Sequence, residues 1–464
     1  MAGDIKMDLK RKSERLGKEP VVSLLFRLSI PSIIAMVVQA LYNVVDSIYL
    51  GRLSTDALSA LTLTFPLQII IIGIAVGTGV GTSSLISRLM GRGNKKRASI
   101  AAEHVFFISL IYGIAGIIVG ILFSDMLLQF FTSDPELIAM GTEYISIIFI
   151  GSIALFFPII GNNILRGEGN TVIPMIAISM GAVINIILDP FMIFGIGFFP
   201  AWGIKGAAIA TVLARIISGI FLVFILFSDK NEIKFNLKEF EFDFSIIKEI
   251  YSVGFPAMVM QFLASFMLGG MNRILGSFSS TAIAAAGVYF RLQSFVFMPV
   301  FGLNQGYMPL VGYNFGHNNP KRIIKAIKSA FAIAIAFTGA GFILFQFFST
   351  QLITMFNNDP ELLTIGSNAL ETISLAFPVI GLMIIMSATF QAIGKGWPSL
   401  MLSFFRQIII LLPLMYLLGK VYGLSVLWYS FPISETMTLI PASFWLYKTL
   451  KNKFREMRLE YGEV

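Results

Sequence analysis

The sequence predicts an all-α polytopic membrane protein, with twelve transmembrane helices in two six-helix lobes related by a parallel internal repeat. Three observations predict it. The 464 residues are 56% hydrophobic and only 13% charged, which is more apolar surface than a soluble core of this size buries. The apolar residues gather in runs near or above the roughly 20 residues that cross a bilayer core. The chain also repeats itself at a constant offset of 225 residues: Pro31, Gly51, Ser54, Ala57, Gln68, Gly77, Gly81, Gly91 and Arg97 return as Pro256, Gly276, Ser279, Ala282, Gln293, Gly302, Gly306, Gly316 and Arg322. The register still holds where Asp134-Pro135-Glu136-Leu137 meets Asp359-Pro360-Glu361-Leu362, and after small shifts Gly167-Glu168-Gly169 meets Gly394-Lys395-Gly396.

Taken in order, residues 1-21 form a basic tail without the apolar core and small-residue cleavage site of a secretory signal. Spans 1 to 6 are expected at 22-50, 57-88, 98-124, 138-163, 171-194 and 205-228, making an N-terminal lobe over 22-228. The polar segment 229-245 links it to a C-terminal lobe over 246-447, with spans 7 to 12 at 246-275, 282-311, 323-348, 361-391, 397-419 and 424-447, followed by a tail over 448-464. An even count puts both termini on one side. The connections on that side, such as SRLMGRGNKKR and GHNNPKRIIKAIK, are richer in Lys and Arg than GRLSTD, SDPE and NNDPE opposite, so both termini are expected in the cytoplasm. The 41 glycines and 18 prolines suit membrane helices bent around a polar interior.

Several function classes are excluded. The chain has no cysteine and two histidines, His104 and His317, so thiol chemistry, cysteine metal sites and an HExxH site are absent. Ser83, Ser84 and His104 make no catalytic constellation and read as packing or surface residues. No Walker sequence accompanies the spans, so energy for transport has to come from an ion gradient or a partner. The net charge of +8 sits mostly in alternate short connections, as membrane insertion itself requires, which argues against nucleic acid as a partner. Parallel six-helix repeats commonly rock about a central site, favouring alternating access over a fixed pore.

Ionisable side chains inside spans locate the candidate site, because each costs at least about 2.5 kcal/mol at membrane depth unless a partner or a wet cavity receives it. In span 1, Gln39, Tyr42 and Asn43 precede Asp46 by seven, four and three residues, placing all four on one helical face. In span 5, Asn185 and Asp189 are one turn apart, and Pro190 frees the carbonyl near Ile186. Both carboxylates fall near the outer third of the same lobe. Two carboxylates in one low-dielectric region repel, so one takes a proton or both share a cation; capping or pairing within the protein is the structural alternative. Arg215, Arg273, Arg291, Glu371, Arg406 and Glu435 read as structural ion pairs, with Arg273 and Glu371 a possible outer lock. The position matching Asp46 in the second lobe is Met271. Twenty-two methionines and 44 phenylalanines offer adaptable contacts for aromatic cations.

At YNVVDSIYLG, at NIILDP, and at QGYMPLVGYNFG followed by NPKR, the sequence resembles the multidrug and toxic compound extrusion family of secondary transporters, over nearly the whole chain. The resemblance implies a monomeric exporter in the plasma membrane of a prokaryote, surrounded by lipid and needing no cofactor. It would exchange H+ or Na+ for amphipathic, often cationic organic compounds through a V-shaped cavity opening outward. It implies a coupling site of Asp46, Asn185, Asp189 and Thr211, which would be the ligand set if the ion is Na+. Gln39, Tyr42 and Asn162 match cavity positions, Asn43 joins them by its helical face, and Pro31 matches a bend in span 1. A second branch carries carboxylates on helices seven and ten; span 7 here has none at membrane depth. A lipid-linked precursor flippase of related architecture is the alternative, and Arg273 and Arg291 would then form a cationic central cavity.

Overall fold

Helices begin where the sequence supplies an oxygen to cap them, and the caps repeat with the chain. The side chains of Ser54 and Ser279 accept from the amides of Ala57 and Ala282, those of Asn94 and Asn319 from Arg97 and Arg322, and those of Asp134 and Asp359 from Leu137 and Leu362. Each satisfies an amide that the first helical turn leaves unpaired, worth about 1 kcal/mol. A computed structural model describes residues 13–197, 199–228 and 231–460.

Span 1 is the helix Val21–Leu53, span 2 Thr55–Gly91, span 3 Lys95–Gln129, span 5 Val172–Phe194 and span 6 Ile204–Leu226. Span 4 is a pair, Pro135–Ile150 and Ser152–Gly167, bent by 52°. The second lobe follows with span 7 Phe244–Gly276, span 8 Ser280–Gly316 and span 9 Pro320–Thr354, then the pair Pro360–Ser374 and Phe377–Ala392, again bent by 52°, as span 10. Span 11 is Gly396–Tyr422, with a π-helical stretch at Phe405–Leu411. Among the described residues, nine single helices and the two bent pairs are long and apolar enough to cross a membrane. The twelfth in order, Ser430–Glu460, is more polar: it carries Glu435 and ends in a charged segment.

Some helix ends differ from expectation. Span 12 was expected from residue 424, but a short helix Leu424–Leu427 precedes a break, and the long helix then runs through Glu460 into the expected tail. Span 1 passes Pro31 as one unbroken helix, although proline cannot donate to the carbonyl one turn earlier. The expected linker is laid against span 3: the amides of Asn236 and Asp243 donate to Glu103 Oε1 at 2.7 Å and His104 Nε2 at 2.8 Å. His104 is therefore a buried packing residue.

The repeated glycines form the seam between the lobes. A Cβ on Gly91 would lie 2.0 Å from the Tyr313 carbonyl oxygen, and one on its repeat mate Gly316 2.0 Å from that of Arg88. Gly81 meets Ile250 and Gly254 of span 7, while its mate Gly306 meets Leu28 and Ser29 of span 1. Span 2 thus packs on span 7 as span 8 packs on span 1, the arrangement that a pseudo-two-fold axis along the helices produces. These contacts, with the Ser84 hydroxyl donating to the Gln391 carbonyl at 2.5 Å, lie toward the face that carries both termini. Near the opposite face, a Cβ on Gly269 or Gly287 would meet nothing within 4 Å. A short helix, Glu14–Lys18, straps the seam: Ser13 binds Glu232, and the carbonyl of Leu16 accepts from Asn314 and Arg322.

Candidate functional site

The polar face of span 1 meets the polar turn of span 5 and the start of span 6. Asn185 donates from Nδ2 to Asp189 Oδ1 at 3.3 Å and to Thr211 Oγ1 at 3.3 Å. Asp189 is 0% exposed and Asp46 7%. The charge of Asp46 bears on Asp189, and that of Arg215 on Asp46. The structure therefore brings together Asp46, Asn185, Asp189 and Thr211 inside the first lobe.

This cluster is short of donors. Asp46 Oδ1, Asp189 Oδ2 and Asn185 Oδ1 are all buried without a hydrogen-bond partner. A buried oxygen left unpaired costs about 1–3 kcal/mol, so three in one place suit a visiting proton or cation. The donors are carboxylate, amide and hydroxyl oxygens, the hard set that Na+ accepts; a site made of three or more acidic, histidine or cysteine side chains does not occur among the described residues.

A cavity of about 470 Å³ opens beside the cluster, within the size range of small-molecule sites. Gln39, Tyr42, Asn43, Asn162, Asn185 and Thr211 line it, whereas Asp46 and Asp189 do not form its wall. Ile72, Val76, Leu155 and Pro158 supply apolar surface. At the equivalent place in the second lobe Met271 is buried with Leu275 and Met415 in an apolar cluster. The two lobes share a frame and differ in chemistry.

Other membrane-depth charges divide into two groups. Arg406 and Glu435 pair at 3.2 Å, as a structural role requires. Arg273 and Glu371 do not pair: Glu371 accepts from Ser349 at 2.5 Å, and Arg273 has no ion pair among the described residues. The outer lock is thus corrected, since span 9 supplies the partner. Arg273 and Arg291 also lie outside the lining of the cavity. Arg215 does line it, together with Arg166, and neither is ion-paired among the described residues. The charge of Arg215 acts on Asp46 from beyond ion-pair distance, and Arg166 was missed because it sits at a helix end in LRGEGN, where a basic residue looks like a loop residue. Tyr144, buried beside the same charges, was also missed, because it stands alone among Thr142, Glu143 and Ser146 without forming a helical stripe with other polar residues.

Comparisons with known proteins agree with this architecture. A FAD transporter of Shewanella oneidensis is 28% identical over 422 residues, 90% of this chain and 92% of that protein. The multidrug export protein MepA of Staphylococcus haemolyticus is 28% identical over 447 residues, 94% and 95% of the two chains. Among solved structures, a MOP superfamily transporter from Pyrococcus furiosus superposes with a TM-score of 0.89 at 28% identity, covering 95% of this chain and 98% of that one. A MATE protein in a bent conformation gives 0.91 at 28% identity, covering 96% and 99%. The sequence profile of the MatE family matches residues 31–191 and 256–417, once in each lobe. The chain is thus a multi-span membrane transporter of small molecules rather than an enzyme, and it belongs to the MatE family of multidrug and toxic compound extrusion proteins.

Proposed function

We propose that this protein is a secondary active efflux antiporter, exchanging H+ or Na+ for amphipathic organic compounds by alternating access. The observation that carries the proposal is the cluster of three unpartnered buried oxygens on Asp46, Asp189 and Asn185 beside a cavity in the same lobe. Thr211 completes the oxygen set, and Gln39, Tyr42, Asn43 and Asn162 face the substrate. A cation entering the cluster relieves the repulsion between the carboxylates and changes the electrostatics of the adjoining wall, so cation and substrate affect each other's affinity through a shared coupling energy. The seam is tight on the face bearing the termini, and toward the other face Gly269 and Gly287 of the second lobe stand in open space. That asymmetry fits an outward-open state if the termini are cytoplasmic, in a prokaryotic plasma membrane, with one chain as the working unit. Pro31, which leaves the Arg27 carbonyl without its helical donor, is the place where span 1 would bend as the cluster fills.

The test is efflux of a fluorescent amphipathic dye from proteoliposomes, with proton and sodium gradients imposed separately. One gradient should drive efflux, and correctly inserted Asp46→Asn and Asp189→Asn proteins should lose at least tenfold in rate. Efflux driven by neither gradient would remove the basis of the reading.

A further inference from the structure

The cavity wall carries positive charge and no carboxylate. Of its lining residues, Arg166 and Arg215 are charged, and no aspartate or glutamate joins them. Arg166 is only 8% exposed, and its Nε is buried without a hydrogen-bond partner. Arg215 has a buried, unpartnered Nη1. The charge of Arg215 acts on Asp46, whereas no charged group among the described residues acts on Arg166. A buried guanidinium without a counter-charge carries a large desolvation cost, so a group outside the protein's own carboxylates has to answer Arg166.

The scaffold does not require these charges. The two helix ends match at Gly169 and Gly394, each at positive φ after its helix, with their amides donating to the carbonyls of Arg166 and Gln391; the second lobe thus has the neutral Gln391 where the first has Arg166. At the place roughly equivalent to Arg215 the second lobe has Glu435, which is paired with Arg406 at 3.2 Å. A charge in that position is thus answered in both lobes, by Arg406 in the second and by Asp46 in the first, which leaves Arg166 as the unanswered charge of the cavity wall. Asn162 stands one helical turn before Arg166 and lines the same end of the cavity, with a buried Oδ1 that also lacks a partner. Apolar Val76, Val80 and Pro158 face the same space.

We infer that this cavity binds amphipathic molecules bearing an anionic group, a carboxylate or a phosphate ester, with Arg166 holding that group. The inference rests on the cavity being the substrate site, and it reverses the charge preference that the family resemblance implies. Guanidinium suits the task because its fork of N–H donors matches two oxygens at once. The anionic group docks at the Arg166 end, while the rest of the molecule reaches Tyr42 and Asn43 beside the oxygen cluster, leaving exchange at the cluster to that part.

Riboflavin and flavin mononucleotide share a ring system and differ by a phosphate, so their equilibrium binding to the purified full chain in detergent isolates the anionic group. No gradient is present, which separates this test from that of ion-driven efflux. The nucleotide should bind at least tenfold more tightly than riboflavin. Arg166→Gln should bring the two within about twofold of each other, and Arg166→Lys should retain most of the preference. Thermal unfolding of each variant separates lost binding from lost folding. Equal binding of the two probes by the unsubstituted protein, no binding of the nucleotide, or a preference that survives in Arg166→Gln would overturn the inference.

Discussion

Arg406 and Glu435 give the simplest test among single side chains. Glu435 is 7% exposed and its partner lies in the same lobe, so Arg406→Met leaves a buried carboxylate without its cation, at a cost of about 3 kcal/mol. Replacing both, as Arg406→Met with Glu435→Leu, should recover most of the loss, because the buried charge goes with its partner. Thermal unfolding in detergent measures both variants, and a single substitution as stable as the unsubstituted protein contradicts the assignment. At this scale the sequence is informative where chemistry is out of place. Asp46, Asn185 and Asp189 stand out because helical spacing aligns them inside apolar spans, and the structure puts them together. Arg166 escapes because a basic residue at a helix end has an ordinary explanation, and only its orphaned Nε removes it. The pairing of Arg273 with Glu371 fails because spacing along the chain does not say which neighbouring helix supplies a partner, here Ser349.

Helices are legible from their apolar runs and caps, and the repeated caps fix their starts in both lobes. Their ends are less so: nothing stops the helix of span 12 at the membrane boundary, because its charged continuation keeps helical spacing through Glu460. The glycines of spans 2 and 8 are conspicuous as a repeat, yet a repeat alone does not distinguish a bend from a contact. The structure makes them contacts, which predicts a contrast. Gly81→Ala places a Cβ 2.2 Å from the Ile250 carbonyl oxygen and Gly316→Ala places one 2.0 Å from that of Arg88. Backbone cannot give way as a side chain does, so each should cost about 1–3 kcal/mol by overpacking. Gly287→Ala meets nothing within 4 Å and should be neutral or slightly stabilising, since alanine favours the helix. Equal effects at the three positions, read by thermal unfolding, would count against a seam at the glycines.

For the whole molecule, the repeat announces two lobes and their parallel relation, but the end at which they touch depends on packing that no single span encodes. That end can be locked. The chain has no cysteine, and a Cβ on Gly312 of span 8 would lie 3.1 Å from the Ser87 Cβ of span 2, close to the roughly 3.8 Å separation of a disulfide. Oxidised Ser87→Cys with Gly312→Cys should stop transport, reductant should restore it, and each single variant should work; transport that continues through the cross-link contradicts alternating access at this seam. The central claim is that Asp46 and Asp189 join cation entry to substrate exit. It is tested most directly by recording both fluxes together in proteoliposomes. The account predicts cation uptake that rises with substrate export in a fixed ratio, with Asp46→Asn and Asp189→Asn each abolishing both fluxes. Substrate export that persists at an undiminished rate without cation uptake, in the unsubstituted protein or in either variant, would contradict it.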